Sequence, residues 1–152
     1  MRDYTINGKK YRHPSYKDQI LSNYVVSSCG NVYSLLTGKF MVPRVCGSTV
    51  YPKINVRING KPKSPNVHQL VASAWVQKPI PEGISKEDWI KTPTSVKRLI
   101  DINLWEIDHI NAVKDDFRAE NLRWVSRSKN KSVYYSEQKP ALEESTLEKY
   151  LV

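Results

Sequence analysis

Short segments rich in β-branched and aromatic residues, each ended by turn residues, constrain most strongly how this 152-residue chain can fold. The stretch YVVSSCGNVYSLLTGKFMVPRV, residues 24–45, contains Cys-Gly-Asn at 29–31 and Thr-Gly-Lys at 37–39. Glycine and asparagine favour tight turns, whereas the flanking valines and tyrosines favour strands. The segment therefore predicts short antiparallel strands.

A third β-like stretch runs from residue 49 to the Asn-Gly pair at 59–60. Isoleucine and valine alternate there with polar residues. Alternation with a period of two places one set of side chains on a buried face and the other in solvent. The stretch is interpreted as a half-buried strand whose exposed face carries Lys53, Asn55 and Arg57.

Helical periodicity first appears in VHQLVASAWV, residues 67–76, which follows a capping asparagine and precedes two prolines. Two further helices are predicted at 85–92 and 94–104. Beyond them LWEID and LRWVS predict two strands, and Ser126 or Ser128 is expected to open a last helix. Strands followed by helices and then strands indicate the α+β class.

The order of these segments divides the chain into four regions. They are an N-terminal β-rich module with a polar leader (1–63), a linking helix and variable insert (64–104), the two strands with the following helix (105–135), and a helical tail (136–152). Residues 1–19 are polar and basic, and we expect a loosely held arm. The tail combines acids with leucines, so it could dock on its own domain or on a protein partner.

The charge of the chain favours a polyanionic partner. Twenty-four Lys and Arg outnumber fifteen Asp and Glu, for a net charge of +9. Such a field attracts nucleic acid, although charge alone leaves a merely solvated surface equally open. The two cysteines have no zinc-site spacing, and no apolar run suits a signal peptide or a membrane span. We expect an intracellular protein.

The strongest candidate site lies in EIDHINAVKDDFRAENLRWVSRSKNKS, residues 106–132. Phosphodiester hydrolysis requires a base for water, and a histidine near its ordinary pKa can supply it. Mg²⁺ and Mn²⁺ prefer carboxylate and amide oxygens. The residues with this chemistry are Asp108, His109, Asn121 and Asn130. A hairpin followed by a crossing helix could bring Asn130 back to Asp108.

Three blocks of this sequence resemble the HNH homing endonucleases, in the His-Asn-Asn variant found in phages and introns. The blocks are YVVSSCGNVYSL, VHQLVASAWV, and DHI followed by ENLRWVSRSKN, with gaps of twelve from His109 to Asn121 and nine from there to Asn130. The resemblance covers about residues 16–133. It departs from the family where NAVKDD replaces the usual Asp-Gly-Asn or Asn-Gly-Asn turn.

The resemblance implies a β-rich DNA-binding module followed by a ββα-metal (His-Me finger) unit that cleaves double-stranded DNA. His109 is expected to be the general base, and Asp108 and Asn130 to hold one divalent ion, Mg²⁺ or Mn²⁺. Asn121 is expected to tie down the loop and so orient His109. The implied location is the cytoplasm of a bacterial host, if a phage encodes the protein.

The residues predicted to contact DNA fall in two groups. The first is the strand face and turn with Lys53, Asn55, Arg57, Lys61 and Lys63, which could lie in a groove. The second flanks the candidate site, where Arg123, Arg127, Lys129 and Lys131 could neutralise phosphates. A solvated strand face is the alternative for the first group, and the groove interpretation is favoured over it.

Several residues are left out of the predicted site. His68 follows an apolar pattern and is expected to be a hydrogen-bonded structural histidine, and His13 to be exposed. Loop acids at 115, 116 and 120 lie near an arginine and are expected to be solvated or paired. The alternative to an enzyme is a DNA-binding or regulatory protein that keeps the HNH fold without activity.

Overall fold

The structure, a computed structural model, describes residues 3–45 and 51–127, which form short strands and three helices. The first seven strands are β1 (Tyr4–Ile6), β2 (Lys9–Arg12), β3 (Ser15–Tyr16), β4 (Gln19–Ile20), β5 (Tyr24–Ser27), β6 (Val32–Ser34) and β7 (Lys39–Met41). The later elements are β8 (Val56–Ile58), β9 (Lys61–Lys63), α1 (Val67–Trp75), α2 (Lys86–Lys91), α3 (Thr94–Leu104), β10 (Trp105–His109), a 3₁₀ turn (Ala119–Asn121) and β11 (Leu122–Ser126).

The N-terminal strands form an antiparallel sheet in the order β1-β2-β5-β6-β7. The expectation of a loose leader is wrong, because Tyr11 of β2 pairs with Ser27 of β5 and is only 2% exposed. His13 is also not exposed: its Nδ1 lies 2.9 Å from the carbonyl oxygen of Tyr24. Non-local strand pairing, rather than the polar composition of the segment, decides its structure.

The β8–β9 hairpin turns at Asn59 and Gly60, whose φ angles are 52° and 76°. Positive φ at both positions is typical of the two-residue turn that Asn-Gly predicts. The strand is shorter than predicted, since its regular part is Val56–Ile58. The predicted alternation is present: Ile54 and Val56 are buried, whereas Asn55 and Arg57 are exposed.

Helix α1 lies at the centre of the hydrophobic core. Val67, Leu70 and Val71 are completely buried, as the helical pattern predicts. They pack in one cluster with Val26 of the sheet and Leu122 of β11, so residues from three of the four predicted regions share a core. Burial of this face, at about 25 cal/mol per Å² of apolar area, fixes the helix against both β-layers.

The insert after α1 contains two exposed helices at the predicted places. Ser85 caps α2, since its Oγ accepts a hydrogen bond of 3.1 Å from the N–H of Asp88. Helix α3 is joined to the rest of the chain by an ion pair between Arg98 and Asp18. No helix within residues 3–45 and 51–127 is long and apolar enough to cross a membrane.

Strands β10 and β11 form the predicted hairpin, in which Ile107 pairs with Trp124 and His109 with Leu122. The face with Ile107 and Trp124 packs against the core around α1. The opposite face carries Asp108 and its partner Arg123. The predicted last helix lies almost wholly outside the described residues.

Candidate active site

The end of β10 places Asp108 and His109 next to each other, where the chain enters the loop of residues 110–121. This loop is named the catalytic loop after the role that the sequence predicts for it. Both side chains are buried, with residue exposures of 3% and 2%. Because successive side chains of a strand point to opposite faces, the imidazole faces the α1 side and the carboxylate the other. The imidazole of His109 and the carboxylate of Asp108 therefore lie on opposite sides of the strand end. They can serve one site only if that site lies at the end of the strand.

Asn121 connects the two ends of the catalytic loop. Its Oδ1 accepts a hydrogen bond of 3.0 Å from the N–H of Asn111, and its Nδ2 donates one of 2.9 Å to the carbonyl oxygen of Asp116. Its backbone carbonyl accepts a further bond of 2.8 Å from Ile110. These contacts fix the backbone immediately after His109.

Two of the three acids of the catalytic loop, Asp116 and Glu120, are paired with Arg118. Its Nε and Nη2 each lie 2.8 Å from an oxygen of Asp116, and its Nη1 lies 2.7 Å from Glu120. These hydrogen bonds hold the pKa of the Asp116 carboxyl well below its usual range and raise the pKa of the Arg118 guanidinium. Asp116 and Glu120 are thus paired acids, as expected for loop carboxylates beside an arginine.

The predicted metal ligand Asp108 forms an ion pair across the hairpin. The Nε of Arg123 donates to its Oδ2 at 2.6 Å, and the side chain of Asp108 is 2% exposed against 40% for Arg123. The sequence predicted that Arg123 contacts DNA phosphate; the structure places it on the carboxylate. Because the Arg123 side chain is partly exposed, it can contact both the Asp108 carboxylate and a DNA phosphate only where the buried site opens to solvent.

Two aromatic rings meet the imidazole of His109. The ring of His68, from α1, lies 4.8 Å from that of His109 at an interplanar angle of 65°, and the ring of Tyr51 lies 4.8 Å from His68 and 5.7 Å from His109. The sequence prediction left His68 out of the site as a hydrogen-bonded structural histidine, but the structure places its ring against that of His109. Its Nδ1 is buried without a hydrogen-bond partner among the described residues, and its ring adjoins the candidate base.

The electrostatic environment keeps both imidazoles neutral. Burial, the neighbouring His109 and Lys114 together lower the pKa of His68 to about 3. Burial and then Lys114 lower the pKa of His109, against the opposing effect of Asp108 and Asp116. A neutral imidazole can accept a proton, which is the form that a general base requires.

Comparisons with known proteins agree with this geometry. Residues 67–132 match a family model, HNH_3, described as HNH endonuclease. The HNH homing endonuclease I-HmuI, whose solved structure concerns DNA binding and cleavage, is similar with a TM-score of 0.55 and 25% identity over 98% of this chain. The chain is thus similar to HNH endonucleases over residues 67–132, and its fold is similar to that of an HNH homing endonuclease. It spans 65% of the length of I-HmuI, and no curated protein matches it.

The HNH fold accounts for the mixed architecture, with an antiparallel β-rich N-terminal region followed by a helix and a hairpin. HNH nucleases generally use a divalent metal. Within residues 3–45 and 51–127 no group of three His, Cys, Asp or Glu could hold one. The donor set fits a hard cation nevertheless, because such ions accept few protein ligands and Asp108 offers a buried carboxylate. Asn130, the second predicted ligand, lies outside the described residues.

The structure also joins the N-terminal sheet to the catalytic loop. Gly30, in the β5–β6 turn, has a φ of 92°, and a Cβ there would lie 2.2 Å from the Cδ1 of Phe117. The N–H of Ala119 donates a hydrogen bond of 2.8 Å to the carbonyl oxygen of Ser28. The turn therefore supports the loop that carries Asn121.

Of the predicted DNA-contacting residues of the first group, Arg57, Lys61 and Lys63 lie on the β8–β9 hairpin, whereas Lys53 and Asn55 lie in the segment before it. Its register sets Arg57 opposite Pro62, and Lys61 and Lys63 opposite Ile58 and Val56, so the cations divide between both faces. Asn55 and Arg57 line a groove of about 570 Å³ together with Lys39 of β7, which the sequence prediction did not include. Arg57, Lys61 and Lys63 are exposed, whereas Lys53 is half-buried.

In the second group, Arg127 is 64% exposed and lies 3.8 Å from Glu106. Lys129 and Lys131 lie outside the described residues, as does the acidic tail. The sequence prediction of the site also missed Tyr51, His68 and Lys114. The alternation around Tyr51 and the helical pattern around His68 indicate only burial, and neither discloses that the two segments meet at His109.

Proposed function

We propose that the chain is a metal-dependent DNA endonuclease that nicks or cleaves double-stranded DNA. The observation that carries the proposal is the burial of Asp108, His109 and Asn121 together at the end of one hairpin. These groups lie in a chain of net charge +9, which attracts the phosphate backbone. A structural role alone does not require an acid and an imidazole to be desolvated side by side.

His109 is the proposed general base. Its neutral imidazole takes a proton from a water molecule, whose oxygen forms a bond to phosphorus while the bond from phosphorus to the 3′ oxygen breaks. The lowered pKa of His109 keeps the accepting form populated at neutral pH. The departing 3′ oxygen takes a proton from solvent water and becomes a hydroxyl, and His109 releases its proton to solvent, so the products are a 3′-hydroxyl and a 5′-phosphate.

Asn121 is the proposed positioning residue for the catalytic loop. It acts through the backbone of Asn111 and Asp116, as its hydrogen bonds indicate. Such contacts hold a reacting group within the narrow range of geometry that catalysis requires. Asn121 thus supports His109 without touching the phosphate.

Asp108 and Asn130 are the proposed ligands for one Mg²⁺ or Mn²⁺. When bound, such an ion stabilises negative charge on the phosphate and on the leaving oxygen. Asp108 contributes a carboxylate that Arg123 already orients. The exposed part of Arg123, with Arg127, Lys129 and Lys131, is proposed to neutralise adjacent phosphates. The β8–β9 hairpin and the segment before it are proposed to contact DNA away from the cut through Lys53, Asn55, Arg57, Lys61 and Lys63.

Incubation of the purified protein with supercoiled plasmid tests this proposal. We expect nicked or linear product in the presence of Mg²⁺ or Mn²⁺ and none in EDTA. Nicked circles and linear molecules migrate differently, so the same gel distinguishes one cut strand from two. No product with either metal, at protein concentrations that retard the plasmid, would overturn the proposal.

One observation favours a non-cleaving DNA-binding protein instead. The guanidinium of Arg123 lies on the carboxylate of Asp108, where it competes with a cation for the same oxygen. Retardation of DNA without any product would support this alternative. Metal-dependent product would exclude it.

A further inference from the structure

The rings of Tyr51 and His68 meet the imidazole of His109, and no family motif in the sequence assigned either ring to the site. We propose that His68 and Tyr51 are positioning residues that hold the His109 ring in the orientation in which it accepts a proton. This inference rests on the proposed function and names two residues of the same site. Neither residue is proposed to touch DNA.

The position of His68 on the packed helix α1 restricts the motion of its ring. It follows Val67 on α1, and Val67, Leu70 and Val71 are completely buried in the core. Motion of the His68 ring therefore requires motion of the helix or a change of rotamer inside a packed interior, both of which are costly. His109 thus has a fixed wall on its α1 side.

A structural role does not explain why the wall is a histidine. His68 is 8% exposed, and its Nδ1 has no hydrogen-bond partner among the described residues. A buried polar atom without a partner costs free energy that an apolar ring of the same size avoids. The contact of the His68 ring with the candidate base does not depend on its nitrogen atoms, so an apolar ring at this position can separate the contact from the polarity.

The contact geometry restricts rotation of the His109 ring. His68 and His109 are arranged edge to face, with 4.8 Å between centroids and 65° between planes. This arrangement is a preferred one for rings, because the positive edge of one meets the negative face of the other. Tyr51 touches both imidazoles, and the Nζ of Lys114 lies 5.6 Å from the Tyr51 ring on the loop side.

The rings perform a task that the hydrogen bonds of Asn121 do not. Those bonds go to the backbone of Asn111 and Asp116, so they fix where the strand ends. The side-chain torsions of His109 are set by the groups that its ring meets. Catalytic groups must be held to within about 0.5 Å and 10 to 20°. Contacts with Tyr51 and His68 restrict those torsions.

Variants of His68 test the proposal by separating ring contact from polarity. His68→Ala removes the ring, whereas His68→Phe keeps a ring of similar shape without nitrogen atoms. We expect His68→Ala to lower kcat for plasmid cleavage by about 10- to 100-fold, the usual cost of losing an outer contact to a reacting group. KM for DNA should stay the same in both variants. The kcat of His68→Phe should remain close to that of the wild type.

Tyr51→Ala provides a second variant if His68→Ala does not fold, because Tyr51 is only half-buried. We expect about a 10-fold loss of kcat. Tyr33→Ala, in a half-buried tyrosine of β6, is the matched control and should leave kcat unchanged. A folded His68→Ala or Tyr51→Ala protein with kcat within twofold of wild type, or with a changed KM alone, would overturn the proposal.

NMR of the ring nitrogens of His109 gives a readout that does not depend on cleavage. In the wild type and in His68→Phe we expect one sharp set of ring signals, and in His68→Ala broadened or shifted signals from several orientations. Unchanged signals in His68→Ala would contradict the positioning role. If the wild type does not cut plasmid, the proposed function fails, while these signals still decide whether the rings hold His109.

Discussion

Arg123 and Asp108 face each other across the β10–β11 hairpin, with 2.6 Å between the guanidinium Nε and the carboxylate Oδ2. The carboxylate is buried, and the guanidinium is partly exposed. This pair links the group proposed to bind metal with a group proposed to meet phosphate. Its strength therefore decides how readily the site accepts a cation.

Arg123→Ala should lower the stability of the protein and make that stability depend on a divalent metal. Without Arg123, Asp108 is a buried carboxylate that has lost its paired cation, which we expect to cost about 1–3 kcal/mol in the free energy of unfolding. A divalent ion should restore part of that loss, because it binds only the folded chain. Thermal melts in EDTA and in Mg²⁺ measure both effects.

Arg127→Ala is the matched control for this experiment, because Arg127 is mostly exposed and 3.8 Å from its acid. It should melt as the wild type does in both solutions. Equal melting of the Arg123→Ala protein with and without metal would contradict the assignment of Asp108.

Gly30→Ala should destabilise the junction between the sheet and the catalytic loop. The new methyl would lie 2.2 Å from the Phe117 ring, in addition to the strain of a positive φ. We expect a cost of about 1–3 kcal/mol from overpacking beyond the backbone strain itself. Gly8→Ala has a similar φ of 80° and nothing within 4 Å, so it isolates the strain. If the two variants lose equal free energy of unfolding in a denaturant titration, the contact with Phe117 is unimportant.

Acid should destabilise the protein through His68. Its ring takes up a proton near pH 6.5 in the unfolded chain but only near pH 3 in the folded one. The free energy of unfolding should therefore fall by about 1.4 kcal/mol for each pH unit below 6.5 on account of this group. His68→Phe should reduce the slope by that amount between pH 6 and 4, as measured by urea unfolding. Parallel slopes for the two proteins would contradict the burial of a neutral imidazole.

Lys114→Met should raise the pKa of His109. Lys114 is the second cause of the lowered pKa, after burial, so its removal should return the value only part of the way toward 6.5. NMR titration of the His109 ring measures the change, and the acid limb of the cleavage profile should move to higher pH with it. Lys86→Met, on the exposed α2, is the control. A pKa that stays the same or falls would show that Lys114 does not act on the base.

Local patterns in the sequence predicted much of this fold. The helix at 67–75, the hairpin strands around His109 and Asn121, and the Asn-Gly turn at 59–60 all follow from periodicity or turn chemistry. The first strands, β1 and β2, were not predicted, although Asn7 and Gly8 between them form another such turn, with φ of 53° and 80°. The polar residues around that turn concealed strands that depend on pairing with β5.

Long-range contacts at the site were beyond prediction from the sequence. His68 and His109 are forty-one positions apart, and only the packing of α1 against the hairpin brings their rings together. The register of β10 against β11 similarly sets Arg123 opposite Asp108. Residue type and spacing indicated the chemistry of the site, whereas the neighbours that tune it follow from tertiary structure.

Plasmid cleavage by His109→Ala tests the central claim most directly. In Mg²⁺, at enzyme concentrations that saturate the DNA, this variant should cut about 10²- to 10⁴-fold more slowly than the wild type, the usual contribution of a general base. Its affinity for the same DNA, measured by gel retardation, should be unchanged. Cleavage by His109→Ala at the wild-type rate would contradict the account.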